Sequence, residues 1–504
     1  MTRRRRGKSE GVRVHAMKAR VNTERAVQAR ELNRVPTGIP KLDEVLQGGF
    51  PKGSLILLSG TPGSGKTIFA SQFLYEGAKR FGEIGVYASL SEGRDSMYDY
   101  LNGMGFDFAR LEKEGTFKFL DLLTVTEAGV SAEVEEIFKS ISTPRAKRLV
   151  IDSYSVLAQA FKEPISARQI LHTILSKLVR SLGCTTIIIG EQRYGEKRIG
   201  DGMAEFVCDG VINLRRGPPR ELEIAKMRGT RIDQTAHIFS INSGIHIVKT
   251  EFEGPKKDSK WVPIPDSADG LISSGSPDLD ALLGGGFPKG AYVVVEAGTD
   301  VSLQTIRLLT FGITMNFLSQ GRGVLYVPAG GADASEIRDH IVPYVGIEAF
   351  CRQMRVAEEM KESKDQNKPY IVLLKGGRNN IDFDTMLLYN TLDGLKKATK
   401  GKPVLRAIGY DTMESKYSEI PMKMYNEIGF AIMRTRAAGD ISIGIARKSL
   451  DVLQKVLDMV DWHFRLLQKN GIVLFQGVKP HTQMFAVISD TGKGHPVLRL
   501  IPLN

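Results

Sequence analysis

Cysteine is scarce in this chain: Cys184, Cys208 and Cys351 are the only three in 504 residues. An odd number at such wide spacing gives no disulfide framework, no zinc-ligand pair and no redox pair. They read as core thiols in a reducing cytoplasm. The eight histidines, His15, His172, His237, His246, His340, His463, His481 and His495, are scattered, so no Cys/His metal cluster forms in the sequence. No serine-protease or glycosidase spacing stands out. No apolar run approaches the roughly 18–20 uncharged residues that cross a bilayer, which argues against a membrane protein. The basic start is followed by no apolar core of a leader peptide, so secretion is not expected and a cytoplasmic location is.

What is present fits an ordinary soluble protein of two or three domains, with 42% hydrophobic and 25% charged residues. The net charge of +12 is uneven: residues 1–36 hold eleven Lys and Arg against three Glu. Residues 1–32 read as a basic, disordered arm. It is either a solvated tail or a contact for nucleic acid or an acidic surface.

Compact structure is expected from Asn33. In Thr37–Gly53, Ile39, Leu42, Val45 and Leu46 keep helical spacing, and Gly48 and Gly49 end the helix. SLILLSG is a continuous apolar run, the mark of a buried parallel strand. IFASQFLYEGAKR follows as an amphipathic helix with a stop at Gly82. Ile84–Leu90, Arg148–Ser153 and Cys184–Gly190 are further strands, separated by helices around Val130–Ile141 and Ala167–Leu182. Strands at Gly210–Arg215, Glu221–Lys226, His237–Ser240 and Ile245–Lys249 close the region. Such alternation predicts an α/β fold, a mostly parallel sheet with helices on both faces. The expected domains are 33–250 and 269–504, joined by a polar linker over 251–268.

The second half repeats the first. GGFPKG occurs at Gly48–Gly53 and at Gly285–Gly290, each time before an apolar strand and a GT dipeptide. This is an internal duplication. GRGVLYV (Gly321–Val327) answers GEIGVYA, AIGYDT (Ala407–Thr412) answers LVIDS, and ISIGIA (Ile441–Ala446) answers TTIIIG.

Gly60–Thr67 reads GTPGSGKT and fits G-x-x-x-x-G-K-[ST]. The strand before it and the helix after it are what the chemistry needs. Glycines turn backbone N–H groups toward phosphates at a helix N-terminus. The expected ligand is ATP, held by Gly60, Thr61, Pro62, Gly63, Ser64, Gly65, Lys66 and Thr67. Lys66 reaches the β/γ-phosphates and the Thr67 hydroxyl takes Mg²⁺. Asp152, ending a buried apolar strand, is the matching magnesium-orienting carboxylate. Glu92 is the candidate base for the attacking water, and Glu191, at another strand end, a candidate γ-phosphate sensor. Lys226 and Arg228, two apart on a strand, put two cations on one face. They lie far along the chain from the loop, where a neighbouring subunit could use them. In the second copy the loop reads GTDVSLQT (Gly298–Thr305): Leu303 replaces the glycine and Gln304 the lysine. PAGG (Pro328–Gly331) carries no carboxylate, and Asp411 is the survivor of the set. That copy is expected to be catalytically inactive.

Together, the TGIP-LD lead with GGFPKG, the phosphate loop, the IDS strand and KMRGT followed by a Phe-x-Ile ending resemble the KaiC family of RecA-like ATPases. The resemblance is strong over Asn33–Lys249 and weak in the second copy. It implies tandem RecA-like P-loop domains, the second degenerate, and homo-hexamers with ATP held between subunits. One subunit then gives the loop and the next Lys226 and Arg228. The family usually has two adjacent glutamates after the second strand; here they are Ser91 and Glu92, which implies slow hydrolysis. Autophosphorylation is not carried over. The leading reading is an oligomeric ATPase switch acting through a regulatory protein partner, its second domain a structural or docking copy. Two alternatives stay open. One is a RecA-like nucleic-acid-binding protein, for which the basic RYGEKR (Arg193–Arg198) would be a channel loop. The other is a nonenzymatic scaffold whose assembly needs ATP.

Overall fold

The computed structural model describes residues 33–122, 130–142, 145–159, 180–192, 203–249, 260–359, 368–447 and 456–503. The basic arm, half of the linker, RYGEKR and most of the Ala167–Leu182 helix lie outside the described residues. The chain divides into two compact units, Met1–Val248 and Lys249–Asn504.

Unit 1 opens with a short ribbon, β1 (Arg34–Val35) against β2 (Phe50–Pro51). Between them runs helix Pro40–Val45, closed where the Gly48 N–H reaches the Asp43 carbonyl at 2.7 Å. A side chain at Gly49 would overlap the Val35 carbonyl, so the second glycine of GGFPKG is fixed by close backbone approach. The main sheet follows: β3 (Leu55–Gly60), β4 (Gly85–Ser89), β5 (Phe117–Asp121), β6 (Arg148–Asp152), β7 (Thr185–Glu191), β8 (Gly210–Arg215), β9 (Arg220–Met227), β10 (Ala236–Ile241) and β11 (Ile245–Ile247). Their order is β11-β10-β9-β8-β3-β7-β6-β4-β5. The six strands from β8 to β5 are parallel, and β9, β10 and β11 extend the sheet antiparallel.

Strand β3 lies at the middle of this sheet, buried along its whole length. Its alternate residues feed two cores. Ile56 and Leu58 pack with Phe69 and Phe73 of helix Lys66–Phe81 on one face. Leu55 and Leu57 pack with Ile137 and Ile141 of helix Val130–Ser142 on the other. The Lys66–Phe81 helix ends at Gly82, which takes φ +61°. The edge strand β5 is an element that apolar runs do not announce, because FKFLD alternates Phe with Lys.

Unit 2 repeats the plan. Its strands are β12 (Tyr292–Ala297), β13 (Val324–Val327), β14 (Met354–Glu359), β15 (Ile371–Leu374), β16 (Leu405–Gly409), β17 (Ile441–Arg447), β18 (Trp462–Lys469), β19 (Ile472–Lys479), β20 (Met484–Asp490) and β21 (Val497–Pro502). Their order is β15-β14-β13-β16-β17-β12-β18-β19-β20-β21. Among the described residues this is, position for position, the unit 1 order with one added edge strand, β15. Both copies also share a lock: Asp43 accepts the Thr37 N–H, and Asp280 the Ser274 N–H, each at 2.6 Å. Tandem RecA-like α/β domains are therefore the architecture of the chain.

Candidate functional site

The phosphate loop leaves the carboxyl end of β3 and enters helix Lys66–Phe81. Gly63 and Gly65 take φ +73° and +102°, conformations that favour glycine. Gly65 is the N-cap and offers no capping side chain, so among the described residues no side-chain cap claims the first N–H groups of the helix. Lys66 is buried, and its ammonium donates to the Gly60 and Thr61 carbonyls at 3.0 and 3.1 Å. Burial pulls its pKa below the usual lysine range, against the nearby Glu191 and Asp152 carboxylates.

Asp152 is the last residue of β6. The Thr67 hydroxyl donates to its Oδ2 at 3.4 Å and the Tyr87 phenol donates to the same oxygen at 2.6 Å. Burial pushes the carboxyl up, opposed by Tyr87, Lys66 and Thr67. Glu92 follows β4. Its backbone N–H and carbonyl both bond the Ser89 hydroxyl, at 3.1 and 2.6 Å, and its Oε1 accepts from Ser96 at 2.7 Å. The Tyr100 phenol, on helix Arg94–Gly103, lies near Thr67 and Glu92, and burial, with the Glu92 and Asp152 charges, pushes it well above the usual phenol range. Glu191 ends β7 directly across from Gly60, its N–H on the Ser155 hydroxyl at 2.8 Å.

Lys66, Thr67, Asp152, Glu92 and Glu191 are thus gathered at one end of the sheet. Lys226 and Arg228 are not. Lys226 is near the end of β9, its ammonium on the Glu205 and Phe206 carbonyls at 3.0 and 3.4 Å. Arg228 lies just past the strand and pairs with Asp209 at 3.2 Å. Asp209 also takes the Leu55 N–H, which puts Arg228 level with the start of β3. That is five residues from Gly60, roughly 16 Å at 3.3 Å per residue.

Two arginines unmarked by the motif stand beside the loop instead. The β8–β9 turn brings Arg220 Nη1 to the Gly63 carbonyl at 2.9 Å, and Arg216 Nη1 to 3.0 Å from where a Gly63 side chain would begin. Tyr87, Tyr100, Arg216 and Arg220 were invisible to pattern reading. Tyr87, Tyr100 and Arg220 sit on regular elements and Arg216 in the β8–β9 turn, and each meets the loop only through the sheet order.

The second copy requires a correction. Strand register, not the likeness of LVIDS to AIGYDT, sets the equivalence. Ile151 of β6 pairs with Ile188, and Ile408 of β16 with Gly444, the same rung of β7 and β17. The residue in the place of Asp152 is therefore Gly409. Asp411 lies two residues further, in helix Tyr410–Tyr417, where it accepts the Gly330 N–H at 2.9 Å. A Cβ at Gly409 would lie 2.6 Å from Ala329 Cα, so no carboxylate fits there.

A glycine-rich loop between a central parallel strand and a helix, with a carboxylate on a neighbouring strand end, defines unit 1 as a P-loop nucleotide-binding domain of RecA-like topology. Comparison with known proteins narrows this. A family model described as "ATPase: KaiC" matches residues 35–251. The UPF0273 protein MJ1359 of Methanocaldococcus jannaschii is 34% identical over 234 residues, spanning 42% of this chain and 96% of that protein. The circadian clock oscillator protein KaiC of Thermosynechococcus vestitus is 31% identical over 283 residues, 53% of each chain. A solved structure of a KaiC-like protein from Pyrococcus horikoshii shares 35% identity over 43% of this chain and 100% of that one, with a TM-score of 0.40. The chain belongs to the KaiC family of ATPases. It matches only about half the length of the clock protein.

Proposed function

We propose that unit 1 binds ATP with Mg²⁺ and hydrolyses it slowly, and that the protein works as an oligomeric ATP-dependent switch. The observation that carries this is the cluster of Lys66, Thr67, Asp152 and Glu92 around a helix start that no side chain caps. The residues fit the group they would hold: an uncapped helix N-terminus for phosphate, and a hydroxyl and carboxylate already in contact for the metal. Thr67 and Asp152 would hold Mg²⁺, which when bound would draw charge from the phosphate oxygens. Lys66 leaves the loop carbonyls for the β/γ-phosphates. Glu92 takes a proton from water as the water oxygen bonds the γ-phosphorus and the bond to the β–γ bridging oxygen breaks, releasing ADP and phosphate. Glu191, beside Lys66, reads whether the γ-phosphate is present. Lys226 and Arg228, at the far end of their own sheet, serve the loop of the next copy in a ring, a hexamer by family resemblance. Unit 2 is a structural or partner-docking copy.

Steady-state ATP hydrolysis measured in parallel with subunit stoichiometry tests this. Lys66→Ala abolishes nucleotide binding. Glu92→Gln lowers turnover by about 10²–10⁴-fold if Glu92 is the base. A second reading, a scaffold that ATP only locks together, is favoured by Ser91, which stands where the family usually has the first glutamate. Under that reading assembly depends on ATP while phosphate release is negligible and unchanged in Glu92→Gln.

A further inference from the structure

We propose that the phosphate seat of unit 2 is occupied by the chain itself, with Arg447 and Ser302 as the residues that decide which of the two homologous loops takes nucleotide. Four separate observations converge on it.

The first concerns the cation. Arg447 ends β17 across from Ala297, the residue before the loop, just as Glu191 ends β7 across from Gly60. Its Nη1 donates to the Gly298 and Val301 carbonyls at 3.0 and 2.7 Å. In unit 1 the loop carbonyls are held by the Lys66 ammonium, on a flexible stem that can swing to phosphate. In unit 2 the lysine is Gln304, the strand-end acid is an arginine, and the cation is a planar guanidinium anchored on the sheet. The charge has been exchanged between the loop and the neighbouring strand.

The second concerns the N–H groups. Helix Leu303–Ser319 starts at the former glycine position, and its N-cap is Ser302. The Ser302 hydroxyl accepts the Thr305 N–H at 3.2 Å. The Thr305 hydroxyl, the counterpart of the Thr67 metal ligand, lies 3.0 Å from the same oxygen. A donor that would face an anion in unit 1 is used up internally.

The third is space. A Cβ at Gly330, the counterpart of Ser91, would lie 2.6 Å from Leu303 Cδ1, so the leucine fills this corner. The fourth is the metal: Gly409 replaces Asp152 where no side chain fits. Cation, donors, volume and metal carboxylate have all been reassigned, each by a different residue. A loop that had merely lost its lysine would leave the other three intact.

The inference rests on the reading of unit 1 for its expected count, and the test separates the two. Radiolabelled ADP is bound to the full chain and to Lys66→Ala at saturating concentration with Mg²⁺, and 8-azido-ATP is photocrosslinked to the wild type and mapped by peptide. One nucleotide per chain, none on Lys66→Ala, and label confined to residues 35–251 are expected. Two nucleotides per chain, one retained by Lys66→Ala, or saturable label within residues 269–503 would overturn the proposal. A wild-type chain that binds none would overturn the reading of unit 1 and support the statement about unit 2.

Discussion

At the scale of single residues, the site turns on a glycine. Gly65 holds φ +102° as the N-cap, and a Cβ there would lie 2.8 Å from Ile241 Cδ1. Leucine in this place carries a left-handed penalty of about 1–3 kcal/mol. The helix escapes it by starting one residue earlier, as it does at Leu303 in unit 2. Gly65→Leu is therefore expected to leave the chain folded while weakening ATP binding by about 100-fold or more, since each 1.4 kcal/mol is tenfold. Isothermal titration beside a thermal melt checks it; binding retained at the wild-type level would show that the backbone at Gly65 is not what shapes the seat. The same scale shows where a sequence misleads. Lys66, Thr67 and Asp152 were legible because a motif fixes their neighbours. Asp411 looked equivalent to Asp152 because both follow an apolar strand, yet a shift of two residues moves it from the strand end into a helix. Only the pairing of β16 with β17 settles that register.

At the scale of elements, the strand and helix order of unit 1 was largely readable, because buried parallel strands are unbroken apolar runs. Strand β5 was not, since its Phe-Lys-Phe alternation is that of an edge strand. Nor was the part played by Arg148. This residue looks like the polar start of RLVIDS but is fully buried. It donates to Glu83 at 2.6 Å and to the Pro36 and Phe73 carbonyls at 2.9 and 2.7 Å, and stacks over Phe73 at 4.5 Å. One guanidinium thus ties the lead segment, helix Lys66–Phe81 and β6 together. The crossing is possible because Gly77 has no side chain: a Cβ there would overlap the Arg148 head group. Gly77→Ala gains helix propensity but overpacks this contact. A net loss of about 1–3 kcal/mol is expected in urea unfolding, and a stabilised variant would mean that Arg148 can move aside.

At the scale of the whole molecule, two sheets with one strand order have drifted apart in how they treat buried charge. In unit 1, Ser59 of β3 meets Asn213 of β8, a neutral pair. In unit 2, Glu296 of β12 accepts from His463 at 2.9 Å and from Arg465 at 3.1 Å, a charged cluster at the core of the sheet. Burial nevertheless depresses the His463 pKa, helped by Arg465 and opposed by Glu296. His495, tilted against Trp261 with ring centroids 4.3 Å apart, is depressed by burial and by Lys493, and His237 in unit 1 by burial. Each imidazole binds its proton less readily folded than unfolded. The stability this gives is present above the unfolded value of about 6.5 and is lost as pH falls through the lower folded value. The unfolding free energy should therefore drop between pH 7.5 and 5.5, by at most about 1.4 kcal/mol per pH unit for each histidine, and the melting temperature falls with it. His463→Gln keeps a donor toward Glu296 without the titration. In that variant the fall is expected to be shallower, in a melt that follows unit 2 through Trp261 and Trp462, the chain's two tryptophans. An unchanged slope would assign the acid sensitivity to His495, whose ring has no carboxylate partner among the described residues to offset the burial.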